Sequence, residues 1–96
     1  MKVPENSCAI CEATWGDHWE TIEGQRMFFC CDICATEFKN MINKIKERTG
    51  WKNIDEIKIS GNYRGRECTA ILGDKKYDFS IRFDSKGDID KFTELE

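Results

Sequence analysis

The spacing of six cysteines in a chain of 96 residues constrains the fold more than any other feature. Cys8 and Cys11 form a Cys-x-x-Cys pair, and residues 30–34 read Cys-Cys-Asp-Ile-Cys after an interval of 18 residues. Tetrahedral zinc takes four ligands, and a Cys-x-x-Cys turn presents two thiolates from one short loop. Two such groups joined by a hairpin complete a closed site. We therefore expect Zn²⁺ bound by four thiolates.

Two other chemistries use closely spaced cysteines. Disulfide frameworks are typical of exported chains, whereas the start MKVPENSC lacks the apolar middle of a signal peptide. A thioredoxin-like redox pair follows a strand and opens a helix. Cys8 and Cys11 lack that context, but Cys31 to Cys34 opens a predicted helix, so a thiol redox role stays open. We expect a cytoplasmic protein, and no apolar run approaches the length that spans a membrane.

The apolar period changes within the first half of the chain. Residues 19–29 read WETIEGQRMFF, in which aromatic and β-branched residues flank a Glu-Gly turn signal, and this predicts a β-hairpin. An apolar stripe at i, i+3, i+4 and i+7 then predicts an amphipathic helix over residues 31–49, with Gly50 after its end. The stripe consists of Phe38, Met41, Ile42 and Ile45.

Beyond residue 50 the pattern is typical of short β-strands. Strands are predicted around residues 57–59, 66–72 and 77–83, the last with strict alternation of apolar and polar side chains. They predict an antiparallel meander over residues 54–84, whose apolar face the helix can cover. Apolar residues at i, i+3 and i+6 predict a short C-terminal helix after it. These residues are Ile89, Phe92 and Leu95.

Together these elements predict an α+β fold in a single domain, residues 1–96. Its first part, residues 1–50, is zinc-finger-like, with cysteine-rich loops, a hairpin and the helix. Its second part, residues 51–96, is the β-meander. The chain contains no internal repeat and no low-complexity linker that would mark a further domain.

The second cysteine group resembles a known motif. Residues 29–38 read FCCDICATEF, which resembles the F-C-S-x-x-C-x-x-x-F half of TRASH, YHS and MYM-type fingers. The resemblance covers about residues 8–45 and implies a treble clef, with Cys31 at the Ser position as a spare thiol or alternate ligand. The ligands that it implies are Cys8, Cys11, Cys30 and Cys34. The whole chain is similar to a family of small archaeal zinc-binding proteins of unknown function.

Four further predictions concern single residues and small groups of residues. His18 is an alternate ligand, although a lone loop histidine is usually solvated. Cys68 is expected to be a small core residue of a strand. Arg26 and the N-terminus of the helix are the nearby positive groups that would balance the thiolate charge. We expect backbone N–H···S bonds at the helix start to hold the site more than side-chain cations do. Trp15, Trp19, Phe28 and Phe29 could form an aromatic surface for a partner, but we expect them to form a miniature core beside the metal.

Charge is distributed unevenly along the chain, although the formal net charge is only −3. Residues 1–38 carry two basic and seven acidic residues, whereas residues 39–66 carry eight basic and three acidic ones. Only this basic segment could meet a nucleic acid. A solvated helix face explains most of its lysines equally well, so nucleic-acid binding is not favoured. The phosphate candidates are Lys39, Lys44, Lys46, Arg48, Lys52, Lys58, Arg64 and Arg66.

No set of catalytic residues is evident, and a closed Cys₄ shell leaves zinc without the open position that hydrolysis needs. We expect a monomeric, non-enzymatic protein whose metal is structural and which binds an unknown protein partner. An alternative is heavy-metal sensing or trafficking with Cys31 as a spare ligand, because a surplus soft donor favours metal exchange or Cu(I).

Overall fold

Two antiparallel sheets and one helix make up the regular structure of the described residues. The computed structural model describes residues 7–11, 13–62 and 64–95. Its elements are β1 (His18–Ile22), β2 (Gln25–Phe29), α1 (Asp32–Thr49), β3 (Glu56–Asn62), β4 (Gly65–Leu72), β5 (Lys75–Phe83) and β6 (Ile89–Leu95). β1 pairs with β2, and β3 to β6 form a four-stranded sheet in chain order. The predicted α+β class, hairpin, helix and meander are confirmed. The first six residues, on which the signal-peptide argument rests, lie outside the described residues.

Helix α1 has clear signals at both ends. It begins after Cys31, whose backbone is extended, and it ends at Gly50 in the left-handed conformation, where the Gly50 N–H donates to the Lys46 carbonyl at 2.8 Å. An acidic first turn and a basic last turn both suit the helix dipole. The predicted stripe is the buried face. Its buried residues are Cys34, Ala35, Phe38, Met41, Ile42 and Ile45.

The four-stranded sheet has one apolar face and one polar face. Cys68 pairs with Phe79, so both side chains lie on the face that joins the core. On the opposite face the Thr69 hydroxyl donates to the Asp78 carboxylate at 2.6 Å. This alternation is that of an antiparallel sheet with one covered face, and it confirms Cys68 as a core residue.

The predicted C-terminal helix is wrong, because residues 89–95 form strand β6 at the edge of the sheet. The ladder between β5 and β6 contains a register shift, with Arg82 opposite Lys91 but Phe83 opposite Ile89. This bulge brings Ile89 and Phe92 to the same face, which a regular strand would not do. Phe92 then stacks on Phe79, with ring centroids 5.2 Å apart. The i, i+3 spacing of Ile89 and Phe92 is therefore explained by a strand with one extra residue at the bulge.

One apolar cluster joins the two parts of the chain. It includes Ile10 and Phe29 from the cysteine-rich part, Phe38 from the helix, and Phe79 and Ile81 from the sheet. Since these side chains are almost fully buried, the cysteine loops and the sheet share a core through α1. No helix within the described residues is both long and apolar enough to cross a membrane.

Candidate metal centre

The Cys8–Cys11 turn is held in place by two backbone hydrogen bonds. The Cys8 N–H donates to the Ala13 carbonyl at 2.8 Å, which closes the loop on itself. The Ala9 N–H donates to the Phe28 carbonyl at 3.1 Å. The second bond fastens the turn to strand β2, so the first two thiols lie against the end of the hairpin.

The other two thiols come from the junction between hairpin and helix. Cys30 directly follows β2, and Cys34 lies in the first turn of α1. Gly16 packs against the backbone of Cys30 with a φ of +97°, and a Cβ added there would lie 2.8 Å from the Cys30 Cα. The loop that returns from the first turn to β1 therefore supports Cys30 from behind.

These four thiols form one cluster. The Sγ atoms of Cys8, Cys11, Cys30 and Cys34 all lie within 4.8 Å of one another. Cys30 Sγ is 3.5 Å from both Cys11 Sγ and Cys34 Sγ, and all the cysteines are free. Cys8, Cys30 and Cys34 are buried, and Cys11 is half-buried. The structure brings together the four cysteines that the motif resemblance implies.

The cluster has the dimensions of a tetrahedral thiolate site. With Zn–S bonds of about 2.3 Å, the sulfur atoms of a ZnS₄ tetrahedron lie about 3.8 Å apart. The observed separations of 3.5 Å approach this value and far exceed a disulfide bond. Four soft donors, three of them buried and none of them a carboxylate, suit zinc or another thiophilic ion. The residues present therefore fit a metal of this class.

Electrostatics within the cluster also favour a cation. The side-chain hydrogen bond between Cys34 and Cys8 lowers the pKa of Cys8 and raises the pKa of Cys34, so one thiolate is stabilised by a neighbouring S–H group. Burial raises the pKa of Cys30 as well. Four thiolates this close repel one another, and a divalent ion is what would let all of them ionise together.

Backbone amides lower the pKa of one of the four thiols, Cys8. Hydrogen bonds from the backbone of Cys11, Cys30 and Ile10 act on Cys8 and lower its pKa, after the larger effect of Cys34. These amides belong to the Cys-x-x-Cys turn and the end of the hairpin. They are not those of the helix start, where N–H···S bonds were expected.

The neighbouring cation is Arg66, not Arg26. The Arg26 guanidinium lies 4.9 Å from the centroid of the Trp19 ring, on the outer face of the hairpin. Arg66 of β4 reaches the Cys8–Cys11 turn and donates to the Ile10 carbonyl at 3.4 Å. The sequence pattern indicates Arg66 only as a phosphate candidate. Its contact spans 56 positions of the chain, and no local pattern signals it.

Both alternate ligands lie outside the cluster of four. Cys31 caps the N-terminus of α1 without a side-chain hydrogen bond to the backbone, and its Sγ is 3.9 Å from Cys30 Sγ. His18 Nε2 lies 2.7 Å from a carboxylate oxygen of Glu20 on the same strand. Cys31 thus remains next to the centre, whereas the imidazole of His18 is engaged by a carboxylate.

The expected miniature core is only half correct. Phe28 and Phe29 are buried, but Trp15 is 66% exposed and Trp19 is 44% exposed. Trp19 stands opposite Phe28 on the outer face of the hairpin, with ring centroids 5.2 Å apart. The inner face carries Met27 and Phe29, which are the side chains that join the core.

Comparison with known proteins places the chain in a family. A model of the Ta0938 family matches residues 5–95. The chain belongs to the Ta0938 family. This small family is of archaeal derivation, and the Ta0938 match spans both the cysteine cluster and the four-stranded sheet. No curated protein and no solved structure matches the chain.

Proposed function

We propose that this protein binds one zinc ion through Cys8, Cys11, Cys30 and Cys34 and that the metal is structural. The observation that carries the proposal is the cluster of four Sγ atoms within 4.8 Å of one another. These ligands would join the Cys-x-x-Cys turn to the hairpin–helix junction. The bound metal supplies a cross-link between segments that otherwise share a small core, so metal binding and folding are expected to be coupled.

The order of the elements supports a treble-clef arrangement. A Cys-x-x-Cys turn comes first, then the hairpin of β1 and β2, then α1 with the last ligand in its first turn. This is the order that the TRASH-type resemblance implies. Since a closed thiolate shell has no open coordination position, we propose a non-catalytic role.

Native mass spectrometry with and without a chelator tests the proposal. The intact chain is expected to carry one zinc ion, which Cys34→Ser removes. Cys31→Ser is the matched control, because it makes the same chemical change three residues away and is expected to keep the metal. Loss of zinc from Cys31→Ser but not from Cys30→Ser would contradict the assigned ligand set.

The structural role has its own test. Chelation of zinc in the intact chain is expected to unfold the hairpin, so that its NMR resonances collapse toward random-coil chemical shifts. The resonances of the four-stranded sheet are expected to change less. A hairpin spectrum that survives chelation unchanged would show that the metal does not hold this part of the fold.

A second candidate function is metal exchange, and the position of Cys31 favours it. Its thiol is half-buried and lies 3.9 Å from the sulfur of Cys30. A fifth soft donor at this distance can replace a ligand during transfer or adapt the site to Cu(I). Competition titrations decide the matter. Equal zinc affinity and equal transfer rate in the intact protein and Cys31→Ser, with zinc preferred over Cu(I), would remove this candidate.

A protein partner is proposed for the metal-proximal end. Trp15 and Trp19 expose much of their rings, and aromatic residues are enriched at protein interfaces. Trp15→Ala should leave zinc content and stability unchanged, within about 0.5 kcal/mol. A large loss of either would assign Trp15 to the fold instead of to a partner.

Nucleic-acid binding gains no support from the basic segment. Lys39 pairs with Glu20, Lys46 pairs with Glu23, and Arg48 Nη1 lies 3.7 Å from Glu94. Acidic residues of the hairpin and β6 thus neutralise much of the helix. A mobility-shift assay across salt concentrations is expected to show no binding, whereas a salt-dependent shift would revive this function.

A further inference from the structure

A cavity of about 300 Å³ lies next to the metal-binding turn, between α1, β4, β5 and the β5–β6 loop. Its volume is at the lower end for ligand sites, so it suits a small molecule. It adjoins the centre because Arg66 reaches the Ile10 carbonyl within the Cys8–Cys11 turn. The lining residues are Glu37, Arg66, Ile81, Arg82, Phe83, Asp84 and Ser85.

Two of the four charged residues in the lining are already engaged. Arg82 donates through Nε to Asp90 at 2.8 Å, and its Nη2 is 2.6 Å from the same carboxylate oxygen. One carboxylate oxygen of Asp84 accepts the backbone N–H groups of Lys86 at 2.8 Å and Asp88 at 3.0 Å. These contacts shape the loop and leave Glu37 and Arg66 as the groups able to recognise a ligand.

Glu37 and Arg66 have few hydrogen-bond partners among the described residues. Within the described ranges the Glu37 carboxylate has neither a hydrogen bond nor an ion pair, although the residue is half-buried. Burial raises the pKa of Glu37, the positive charge of Arg66 lowers it, and the negative charges of Cys8 and Asp84 raise it further. Among the described residues, Arg66 makes one long hydrogen bond, at 3.4 Å, and this bond uses only one of its five N–H donors.

The space between these two groups has an apolar wall. Phe83 supplies this wall, because it is half-buried and packs against the core, whereas Ile81 belongs to the core itself and is almost fully buried. A molecule that fills the cavity therefore meets an anionic acceptor, a cationic donor and an apolar surface. An α-amino acid offers the complementary ammonium, carboxylate and side chain.

We propose that this cavity binds a small apolar α-amino acid in its zwitterionic form. The ammonium donates to Glu37, the carboxylate accepts from Arg66, and the side chain contacts Phe83. Charge-assisted hydrogen bonds at both ends would select the zwitterion over molecules that carry only one of its charges. Because Arg66 also contacts the metal-binding turn, occupancy would reach the metal centre through a single side chain.

An NMR titration of the zinc-loaded, intact chain tests the proposal. The probes are L-valine, 3-methylbutanoate, which lacks the ammonium, and isobutylamine, which lacks the carboxylate. Valine is expected to shift the amide resonances of Glu37, Ile81 and Phe83, and each analogue is expected to bind at least about tenfold more weakly, as for the loss of a charge-assisted hydrogen bond. Equal binding of valine and either analogue would overturn the assignment.

Variants complete the test. Glu37→Gln is expected to weaken valine binding about tenfold, whereas Glu47→Gln, on an exposed part of the same helix, should leave it unchanged. Arg66→Gln is expected to weaken binding as well, with zinc stoichiometry measured by native mass. If Arg66→Gln releases the metal, Glu37→Gln alone decides. Valine binding that survives Glu37→Gln, or no valine-induced shift at roughly 10 mM ligand, would refute the proposal.

Discussion

Replacement of Gly16 by alanine is the sharpest test of how the loop supports the metal centre. Gly16 has a φ of +97°, and an added Cβ would overlap the carbonyl group of Cys30 and lie 2.8 Å from its Cα. Real Cβ atoms essentially never come closer than 3.0 Å to a heavy atom outside their own residue and its chain neighbours. Backbone atoms cannot rotate away as a side chain can, so the loop and Cys30 must separate.

The turn glycine of the hairpin supplies the matched control. Gly24 has a φ of +76°, and a Cβ added there would meet no atom within 4 Å. Gly24→Ala therefore bears only the backbone strain, about 1 to 2 kcal/mol. Gly16→Ala bears similar strain and also the steric conflict with Cys30, for which we expect roughly 2 kcal/mol more, in the range of overpacked sites.

Zinc competition with a chromophoric chelator measures the difference. If folding and metal binding are coupled, an extra 2 kcal/mol corresponds to about a 30-fold weaker apparent zinc affinity for Gly16→Ala than for Gly24→Ala. Thermal unfolding of both zinc-loaded variants supplies the independent measure of stability. Equal affinities and equal melting temperatures for the two variants would refute the claim that Gly16 positions Cys30.

Three further predictions concern the fold. Phe38→Ala should lower the free energy of unfolding by about 3 to 5 kcal/mol in chemical denaturation, because Phe38 is fully buried, whereas Ile33→Ala, at a position 41% exposed, should cost less than about 1 kcal/mol. The hydrogen bond from Lys39 lowers the pKa of Glu20, so its stabilisation is complete above the ordinary pKa of 4.5 and is lost as the pH falls through the lower folded value. Glu20→Gln should remove this part of the acid dependence, below about 1 kcal/mol, and an unchanged pH profile would contradict it. Tyr77→Phe should be neutral or stabilising in thermal melts, because the buried Tyr77 hydroxyl has no partner with hydrogen-bond geometry among the described residues; a loss above about 1 kcal/mol would assign it a hydrogen bond to the nearby Glu94 carboxylate.

Much of the fold could be predicted because its apolar periods are local. The stripe from Phe38 to Ile45 has helical spacing, and alternation along Tyr77 to Phe83 has strand spacing, so each element carries its own signal. The two cysteine groups could be predicted for the same reason, since the spacing within each group is short, but spacing left Cys30 and Cys31 open and only the motif resemblance implied Cys30.

The errors arise where distant parts of the chain decide the outcome. Ile89 and Phe92 have spacing that fits a helix, but the open edge of β5 and a bulge make a strand. Trp19 was assigned to the core because sequence cannot tell which face of a two-stranded hairpin meets the helix. The contact of Arg66 with the metal-binding turn depends on tertiary packing alone.

The paired helix cations give the uneven charge of the chain a different meaning. Acidic residues on both sides of the helix in the sequence pair with cations of α1. Glu20 and Glu23 of the hairpin pair with Lys39 and Lys46, and Glu94 of β6 pairs with Arg48. A fragment limited to residues 39–66 would lose these acidic partners and keep eight basic residues against three acidic ones. Such a fragment is expected to bind nucleic acids and acidic surfaces more tightly than the intact chain does, so part of its affinity would be created by the truncation itself.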